Sequence, residues 1–311
     1  MSLHRQPILS LWTTTLVSLM LATAVLASSP ASLTAAVPGT HATHEPTSED
    51  SRRSTAPPVR SSSGDPIPFE TEAELLHFLR TAQVGLVGTT DKGINRPRKV
   101  RLTRGGRTLD GILRTADLIH QRVRTPGGAM IHTLRDSFRF EAAAFEVDRM
   151  LGLGRVPPAV LRRVDGKRGS IQLWIHGVTD EQDRRKLDHK FRDHVRWVEQ
   201  VGEHRLFDGL IANIDRNQTN MLIDMDAEWL WLIDHSRAFA PLNDVEGLER
   251  IRRCPRATYE VLRNTTEAEL HRRLGAFLLK PERRALLKRW QVLTAHLEAL
   301  VNEHGEGAVL Y

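Results

Sequence analysis

The chain has 311 residues, of which 40% are hydrophobic and 26% charged; this is enough for a folded core and excludes a chain that is disordered throughout. The formal net charge is +6, but lysine and arginine are scattered and aromatic residues make up only 5%, so we expect no nucleic acid partner. A single cysteine, Cys254, excludes an intrachain disulfide and a cysteine-ligated metal site.

The chain begins with a segment typical of export. His4 and Arg5 precede a largely apolar stretch at 8–27 that contains no charged residue and ends in the small residues of a signal-peptidase site. We therefore predict a signal peptide at 1–27, with an uncleaved membrane anchor as the alternative, because the stretch is near the lower length limit for a membrane span. Both alternatives place the folded part outside the cytoplasm, as a secreted or periplasmic protein or one anchored by its N-terminus.

Residues 28–66 are rich in Ser, Thr, Ala and Pro and contain few large apolar residues. Such a segment cannot bury enough surface to fold, so we predict a disordered linker. Order is expected to begin near Pro68, and Thr71 followed by Glu74 resembles the capping box that starts a helix.

The next segment contains glycines and alternating apolar residues. Glycines at 85, 88 and 93 precede two alternating runs, at 100–103 and 109–115, which flank an Arg-Gly-Gly-Arg turn. This pattern predicts a β-hairpin.

A helix is predicted at 137–151, because Phe138, Ala142 and Phe145 recur on one face at helical spacing. Glu141 lies on the same mainly apolar face, where a carboxylate needs a cation or a proton.

The remaining elements are predicted as a strand at 170–175, a helical stretch at about 181–211, short strands at 221–223 and 229–233, and a mainly helical region at 245–303. A β-rich half with one helix is thus followed by a helical half. This order predicts an α+β chain with two lobes and a cleft between them.

One polar loop carries the most informative residues. Asp215 and Asn220 lie in this loop between apolar stretches, and Asp234 follows a short apolar run that is predicted as a strand. Phosphoryl transfer needs one carboxylate to orient the nucleophile, and an amide and a second carboxylate to hold magnesium on the nucleotide phosphates. Asp215, Asn220 and Asp234 match these requirements, although Asp-Arg-Asn alone is also common in ordinary polar turns. Asn213 and Arg216 are predicted to order the loop by hydrogen bonds.

Two segments resemble the atypical kinase superfamily: Phe-Asp-Gly-Leu-Ile-Ala-Asn-Ile-Asp-Arg-Asn-Gln-Thr-Asn at 207–220 and Leu-Ile-Asp-His-Ser-Arg-Ala-Phe at 232–239. They are most similar to the secretory-pathway casein kinase and glycosaminoglycan xylosyl kinase group, and HipA-type and phosphatidylinositol kinases share the core pattern. The resemblance extends over about residues 85–305. It implies a two-lobed protein-kinase-like fold with a small β-rich N-lobe at 67–175 and a larger helical C-lobe at 176–311.

The resemblance also implies roles for individual residues. Asp215 corresponds to the catalytic residue, and Asn220 and Asp234 correspond to the residues that hold the metal. In the family, a glutamate on the N-lobe helix pairs with a nucleotide-binding lysine. Glu141 matches that glutamate, whereas Arg114, on the second strand of the hairpin, stands where the family has the lysine.

Arginine and lysine are not interchangeable at such a site, because the guanidinium is a wider, planar fork. Arg114 can still pair with Glu141 and contact phosphate oxygens, and Lys99 on the preceding strand is the alternative. Gly88 and Gly93 are expected to cover the phosphates.

Together these residues predict an exported kinase-like phosphotransferase. It is expected to bind ATP with Mg²⁺ or Mn²⁺ and to move the γ-phosphoryl group to a hydroxyl of a protein, sugar or lipid acceptor. Because of Arg114, a catalytically weak or inactive pseudokinase that acts as a binding or scaffold module is one alternative. A nucleotidyl transferase on the same fold is another. The expected partners are the nucleotide and the hydroxyl-bearing acceptor, with membrane anchorage if the N-terminal segment is not cleaved.

Overall fold

The computed structural model describes residues 57–58, 60, 64–67, 69–89, 97–125 and 127–311. The predicted signal peptide or anchor at 1–27 and Gly93 lie outside the described residues, as does most of the predicted linker at 28–66. Within the described ranges, no helix is both long and apolar enough to cross a membrane.

The N-terminal region is built mainly on β-strands. Its elements are α1 (Glu72–Thr81), β1 (Gln83–Thr89), β2 (Arg98–Arg104), β3 (Arg107–Arg114), β4 (Asp117–Arg124), β5 (Met130–Ser137), α2 (Arg139–Leu151), β6 (Ala159–Val164) and β7 (Lys167–Leu173). Five strands form one antiparallel sheet in the order β1-β2-β3-β7-β6, and β4 pairs with β5 in a separate two-stranded hairpin.

The C-terminal region is mainly helical. Its elements are β8 (Thr179–Asp180), α3 (Glu181–Lys186), α4 (His194–Ile211), β9 (Met221–Asp224), β10 (Trp229–Leu232), α5 (Arg256–Asn264), α6 (Glu267–Leu274), α7 (Lys280–His304) and α8 (Glu306–Val309). The three strands form a small antiparallel sheet in the order β10-β9-β8. The predicted α+β class is therefore confirmed, with a β-rich N-terminal region followed by a mainly helical C-terminal region.

Local sequence accounts for the first helix and for the first hairpin turn. The Thr71 hydroxyl caps α1 by accepting from the backbone N–H of Glu74 at 3.2 Å. Gly105 and Gly106 both adopt a positive φ between β2 and β3, which is the conformation that tight hairpin turns require. The predicted hairpin is thus present.

Most buried apolar side chains belong to one cluster that extends from α1, α2 and the main sheet to the C-terminal helices. Phe140 on α2 packs against Phe239 of the C-terminal region, with ring centroids 5.4 Å apart. The two regions therefore share one core.

A second, smaller apolar cluster holds the β4–β5 hairpin in place. Ile131 and Leu134 of β5 pack with Ala212, which ends α4, and with Ala240. Because both partners lie in the C-terminal region, the hairpin extends from the β-rich region to the loop that follows α4.

The stretch predicted as helical over about 181–211 contains two helices and not one continuous helix, because α3 ends at Lys186 and α4 begins only at His194. Asp188 adopts a left-handed φ of 50°, which interrupts the helix, and the side chain of Asp193 caps α4.

The sequence also failed to predict β1, β6 and the β4–β5 hairpin as strands. Most residues of β4 are exposed, so β4 lacks the apolar alternation that indicates a half-buried strand. The region predicted as mainly helical at 245–303 forms its first α-helix only after Pro255.

Gly169 in β7 generates a testable prediction about the packing of β3 against β7. A Cβ atom at this position would lie 2.6 Å from the carbonyl oxygen of Arg114 in β3. We expect Gly169→Ala to separate the strands and to lower the free energy of unfolding by about 1–3 kcal/mol, the usual cost of overpacking. Thermal unfolding measures this loss.

The matched control is Gly202→Ala in α4, because a Cβ there meets no atom within 4 Å. Alanine in a helix interior should stabilise the chain by about 0.5–1 kcal/mol relative to glycine. A Gly169→Ala variant that unfolds at the wild-type temperature would contradict the close approach of the two strands.

Candidate active site

A cavity of about 890 Å³ is lined by residues of both regions. Five of the residues singled out in the sequence line it, namely Lys99, Arg114, Asp215, Asn220 and Asp234. Residues that lie far apart in the sequence are thus brought to one concave surface, which is the usual form of a small-molecule site.

Arg114, at the end of β3, lies between two carboxylates. Its Nε is 3.3 Å from Glu141 Oε1, and its Nη1 is 3.2 Å from Asp234 Oδ1. Burial disfavours the charged guanidinium, but Glu141, Asp234 and Asp136 outweigh this effect and hold the pKa of Arg114 above its ordinary value. Arg114 therefore makes the ion pair with Glu141.

Glu141 on α2 is completely buried and yet charged. Its carboxylate accepts from the backbone N–H of His235 at 2.8 Å and lies 3.2 Å from His235 Nδ1. Burial alone would raise the pKa of Glu141, but Arg114 and His235 lower it to about 2. The pairing holds α2 against His235. The preceding residue, Asp234, adopts a left-handed φ of 60°.

Arg216 orders the loop through five hydrogen bonds. It donates to both carboxylate oxygens of Asp208 at 2.8 and 3.0 Å, and to the carbonyl oxygens of Asn220 at 2.7 Å and Ile233 at 2.6 Å. Its Nη2 also lies 3.0 Å from His235 Nε2. Because arginine only donates, His235 Nε2 must accept this bond.

This assignment fixes the tautomer of His235, whose Nδ1 then carries the proton and donates to Glu141. The partners of Arg216 are themselves held in place. His204 Nε2 lies 2.8 Å from Asp208 Oδ2, and Arg216 and His204 outweigh the effect of burial to hold the pKa of Asp208 well below its ordinary value.

Asp215 lies in the ordered loop with its side chain 48% exposed. Its backbone N–H donates to Asn213 Oδ1 at 3.3 Å, and its carbonyl oxygen accepts from Asn220 Nδ2 at 3.3 Å. Asn213 therefore contacts the loop but does not line the cavity. Asn220 uses its amide nitrogen in this contact, which leaves its amide oxygen as an acceptor.

The carboxylate of Asp215 lies among like charges. Partial burial raises its pKa first, and Asp234 and Asp136 raise it further, while Arg237 and Arg216 oppose the shift. A carboxylate with a raised pKa suits a group that orients a hydroxyl and takes its proton.

The donor set fits a hard divalent cation. Asp234 and Asn220 offer carboxylate and amide oxygens on one cavity, and Mg²⁺ is usually held by one or two such protein ligands together with phosphate oxygens and water. A cation would also relieve the repulsion between Asp215 and Asp234. The described part of the chain contains no group of three or more His, Cys, Asp or Glu side chains that could hold a metal ion.

Two other predicted residues lie away from Glu141. The Nζ of Lys99 lies 3.6 Å from Asp110 Oδ2 and 4.3 Å from the centroid of the Trp174 ring. Arg114, and not Lys99, therefore pairs with Glu141. Gly88 lies in β1 next to an irregularity in the pairing with β2 and does not line the cavity.

Among the polar residues that line the cavity, sequence reasoning missed Asp136, Gln172 and Arg237. Asp136 belongs to the hairpin that the sequence did not predict. Gln172 lies in β7 with its Nε2 buried and without a hydrogen-bond partner among the described residues. Arg237 was within reach of sequence reasoning, because it follows Asp234 closely in the segment that carries the resemblance.

No protein-family model matches the chain, and no curated protein matches it. Among solved structures, the crystal structure of a Helicobacter pylori proinflammatory kinase, CtkA, is similar over 75% of this chain and 98% of that chain, with 10% sequence identity and a TM-score of 0.47. At this identity and TM-score the likeness decides neither the activity nor the site residues of this chain.

The buried pair of Glu141 predicts how stability depends on pH. Because the folded-state pKa of about 2 lies below the ordinary value of 4.5, the stabilisation is complete above about pH 4.5 and is lost as the pH falls toward 2. Glu141→Gln should lower the free energy of unfolding at neutral pH by about 3–5 kcal/mol, the usual cost of breaking a buried ion pair. It should also weaken the loss of stability in acid, which thermal unfolding across this pH window measures.

Glu72→Gln is the control for this experiment. Glu72 pairs with Arg149 at 2.7 Å, but both side chains are exposed, so the change should cost less than about 1 kcal/mol. Wild-type stability of Glu141→Gln at neutral pH would refute the buried pairing.

Proposed function

We propose that this protein is an ATP-dependent phosphotransferase with its active site in the cavity described above. The proposal rests on one observation. A single cavity is lined by Asp215, Asn220, Asp234 and Arg114, and the pKa of Asp215 is raised. These groups are the carboxylate, metal ligands and phosphate-binding cation that phosphoryl transfer requires.

The residues that line the cavity suit a nucleotide, with apolar residues for its base and charged residues for its phosphates. Ile112 of β3, Leu222 of β9, Trp174 and Val178 offer apolar surface, which suits a planar base. The charged residues around Arg114 suit the phosphates, because a guanidinium donates two parallel hydrogen bonds to phosphate oxygens.

The proposed reaction moves the γ-phosphoryl group of ATP to a hydroxyl. Asp215 orients the hydroxyl and takes its proton, the hydroxyl oxygen forms a bond to the γ-phosphorus, and the bond from that phosphorus to the bridging oxygen breaks to release ADP. Arg114 donates to the phosphate oxygens, and Asn220 and Asp234 are the residues that would hold Mg²⁺ or Mn²⁺. Such a cation, when bound, neutralises charge on the phosphates.

The acceptor in this proposal is a hydroxyl on a protein, a sugar or a lipid. Within the same proposal the reaction takes place outside the cytoplasm, and the apolar N-terminal segment, which is typical of an export signal or anchor, supports this part of the proposal.

Two substitutions separate the binding of ATP from the transfer of its γ-phosphate. Asp234→Asn should abolish the Mn²⁺-dependent rise in Tm that ATP produces, because it removes the charged metal ligand. Asp215→Asn should keep that rise and lower the rate of γ-phosphate transfer by about 10²–10⁴-fold, the range for loss of a general base. Thermal shift with ATP and Mn²⁺ and transfer of labelled γ-phosphate to the chain itself and to water provide the two readouts.

Asp224→Asn is the matched control, because Asp224 accepts backbone N–H bonds in the turn between β9 and β10 and does not line the cavity. It should keep both properties. Normal binding and turnover in both active-site variants would overturn the assigned roles.

The second candidate function is a module that binds a nucleotide but transfers no phosphoryl group. One observation favours it: Arg114 contacts Asp234 Oδ1 at 3.2 Å, where a metal would need that carboxylate. Binding of ATP with Mn²⁺ but no release of labelled γ-phosphate would support this candidate, and release of labelled α-phosphate products would instead indicate nucleotidyl transfer.

A further inference from the structure

We infer that Asp136 is a positioning residue for Asp215 and acts through Arg237. This inference rests on the proposed function, because it concerns how the group that orients the acceptor hydroxyl is held. Asp136 lies at the end of β5, outside both segments that resemble kinases.

The three side chains form a continuous chain of contacts. Arg237 Nε donates to Asp136 Oδ2 at 3.0 Å, and Arg237 Nη1 donates to Asp215 Oδ2 at 3.4 Å. Asp136 is 1% exposed, whereas the side chain of Asp215 is 48% exposed. The buried carboxylate is thus the fixed end of the chain, and the exposed carboxylate is the end that can move.

The backbone around Asp136 is also fixed. The N–H of Ser137 donates to the carbonyl oxygen of Ser236 at 2.8 Å, so the residues next to Asp136 and Arg237 are joined directly. Ile131 and Leu134 pack against Ala212 and Ala240 on either side of the proposed catalytic segments. The β4–β5 hairpin therefore supports the loop of Asp215 through both apolar and charged contacts.

The charge of Asp136 determines the position of Arg237. Arg237 is shared between two carboxylates, and His120 Nε2 lies 3.7 Å from the same oxygen of Asp136. Without the charge on Asp136, Arg237 loses its buried partner and its position relative to Asp215 is no longer determined. A displacement of about 1 Å of a reacting group lowers rates by about 10²-fold.

The experiment compares the steady-state kinetics of the wild-type chain and its variants, all full length, in the presence of ATP and Mn²⁺. The readout is transfer of labelled γ-phosphate to water and to the chain itself. Asp136→Asn and Arg237→Gln should each lower kcat by about 10²-fold and change the KM for ATP by less than about threefold. The double variant should be no slower than the slower single variant, because the two residues act as a unit. Arg237→Lys keeps the charge and should recover part of kcat.

Asp117→Asn is the control on the same hairpin. Asp117 pairs with Arg135 at 2.7 Å and makes no contact with Arg237, so this variant should keep the wild-type kcat. Thermal unfolding of each variant shows whether it is folded, and Arg237→Lys provides a second variant if Asp136→Asn unfolds.

The experiment distinguishes a failure of the proposed function from a failure of the inference about Asp136. A wild-type chain that transfers no γ-phosphate would overturn the proposed function and this role together. A wild type that transfers, with an Asp136→Asn variant that keeps kcat, would overturn only the inference. A raised KM for ATP at unchanged kcat would also overturn it, because Asp136 would then belong to nucleotide binding.

Discussion

The structure depends on one buried carboxylate. Glu141 is completely removed from water and remains charged because Arg114 and His235 surround it. Since an unpaired buried charge costs several kcal/mol, the three elements that carry these groups are held together: β3, α2 and the segment after β10. The interaction that stabilises the fold therefore also determines where Arg114 and Asp234 lie in the cavity.

Arg216 extends this network into the loop of Asp215. It joins the carboxylate of Asp208 to two carbonyl oxygens and to His235, which in turn contacts Glu141. A planar guanidinium is suited to this task, because its donors point in fixed directions. The loop on the C-terminal side and the ion pair on the N-terminal side are thus connected through His235. Rigid support of this kind is what Asp215 needs in its proposed role.

Charge in the cavity is closely balanced. Arg114 lies between Glu141 and Asp234, and Arg237 lies between Asp136 and Asp215. Each cation is shared by one fully buried carboxylate and one more exposed carboxylate. The buried partner fixes the arginine, and the exposed partner remains accessible to a ligand. In the proposed function, a nucleotide that enters with a divalent cation would bring charges of both signs and would leave none of these groups unpaired.

Features that depend on near neighbours could be predicted from the amino-acid sequence: the Thr71 cap, the Gly105-Gly106 turn, and the loop and strand end that carry Asp215 and Asp234. The pairing of β4 with β5 and the position of Asp136 beside the cavity depend instead on tertiary contacts. Asp136 and Arg237 are 101 positions apart, and no local pattern encodes their contact. Turn and helix preferences act over a few residues, whereas the pairing of buried charges depends on which chain segments the core brings together.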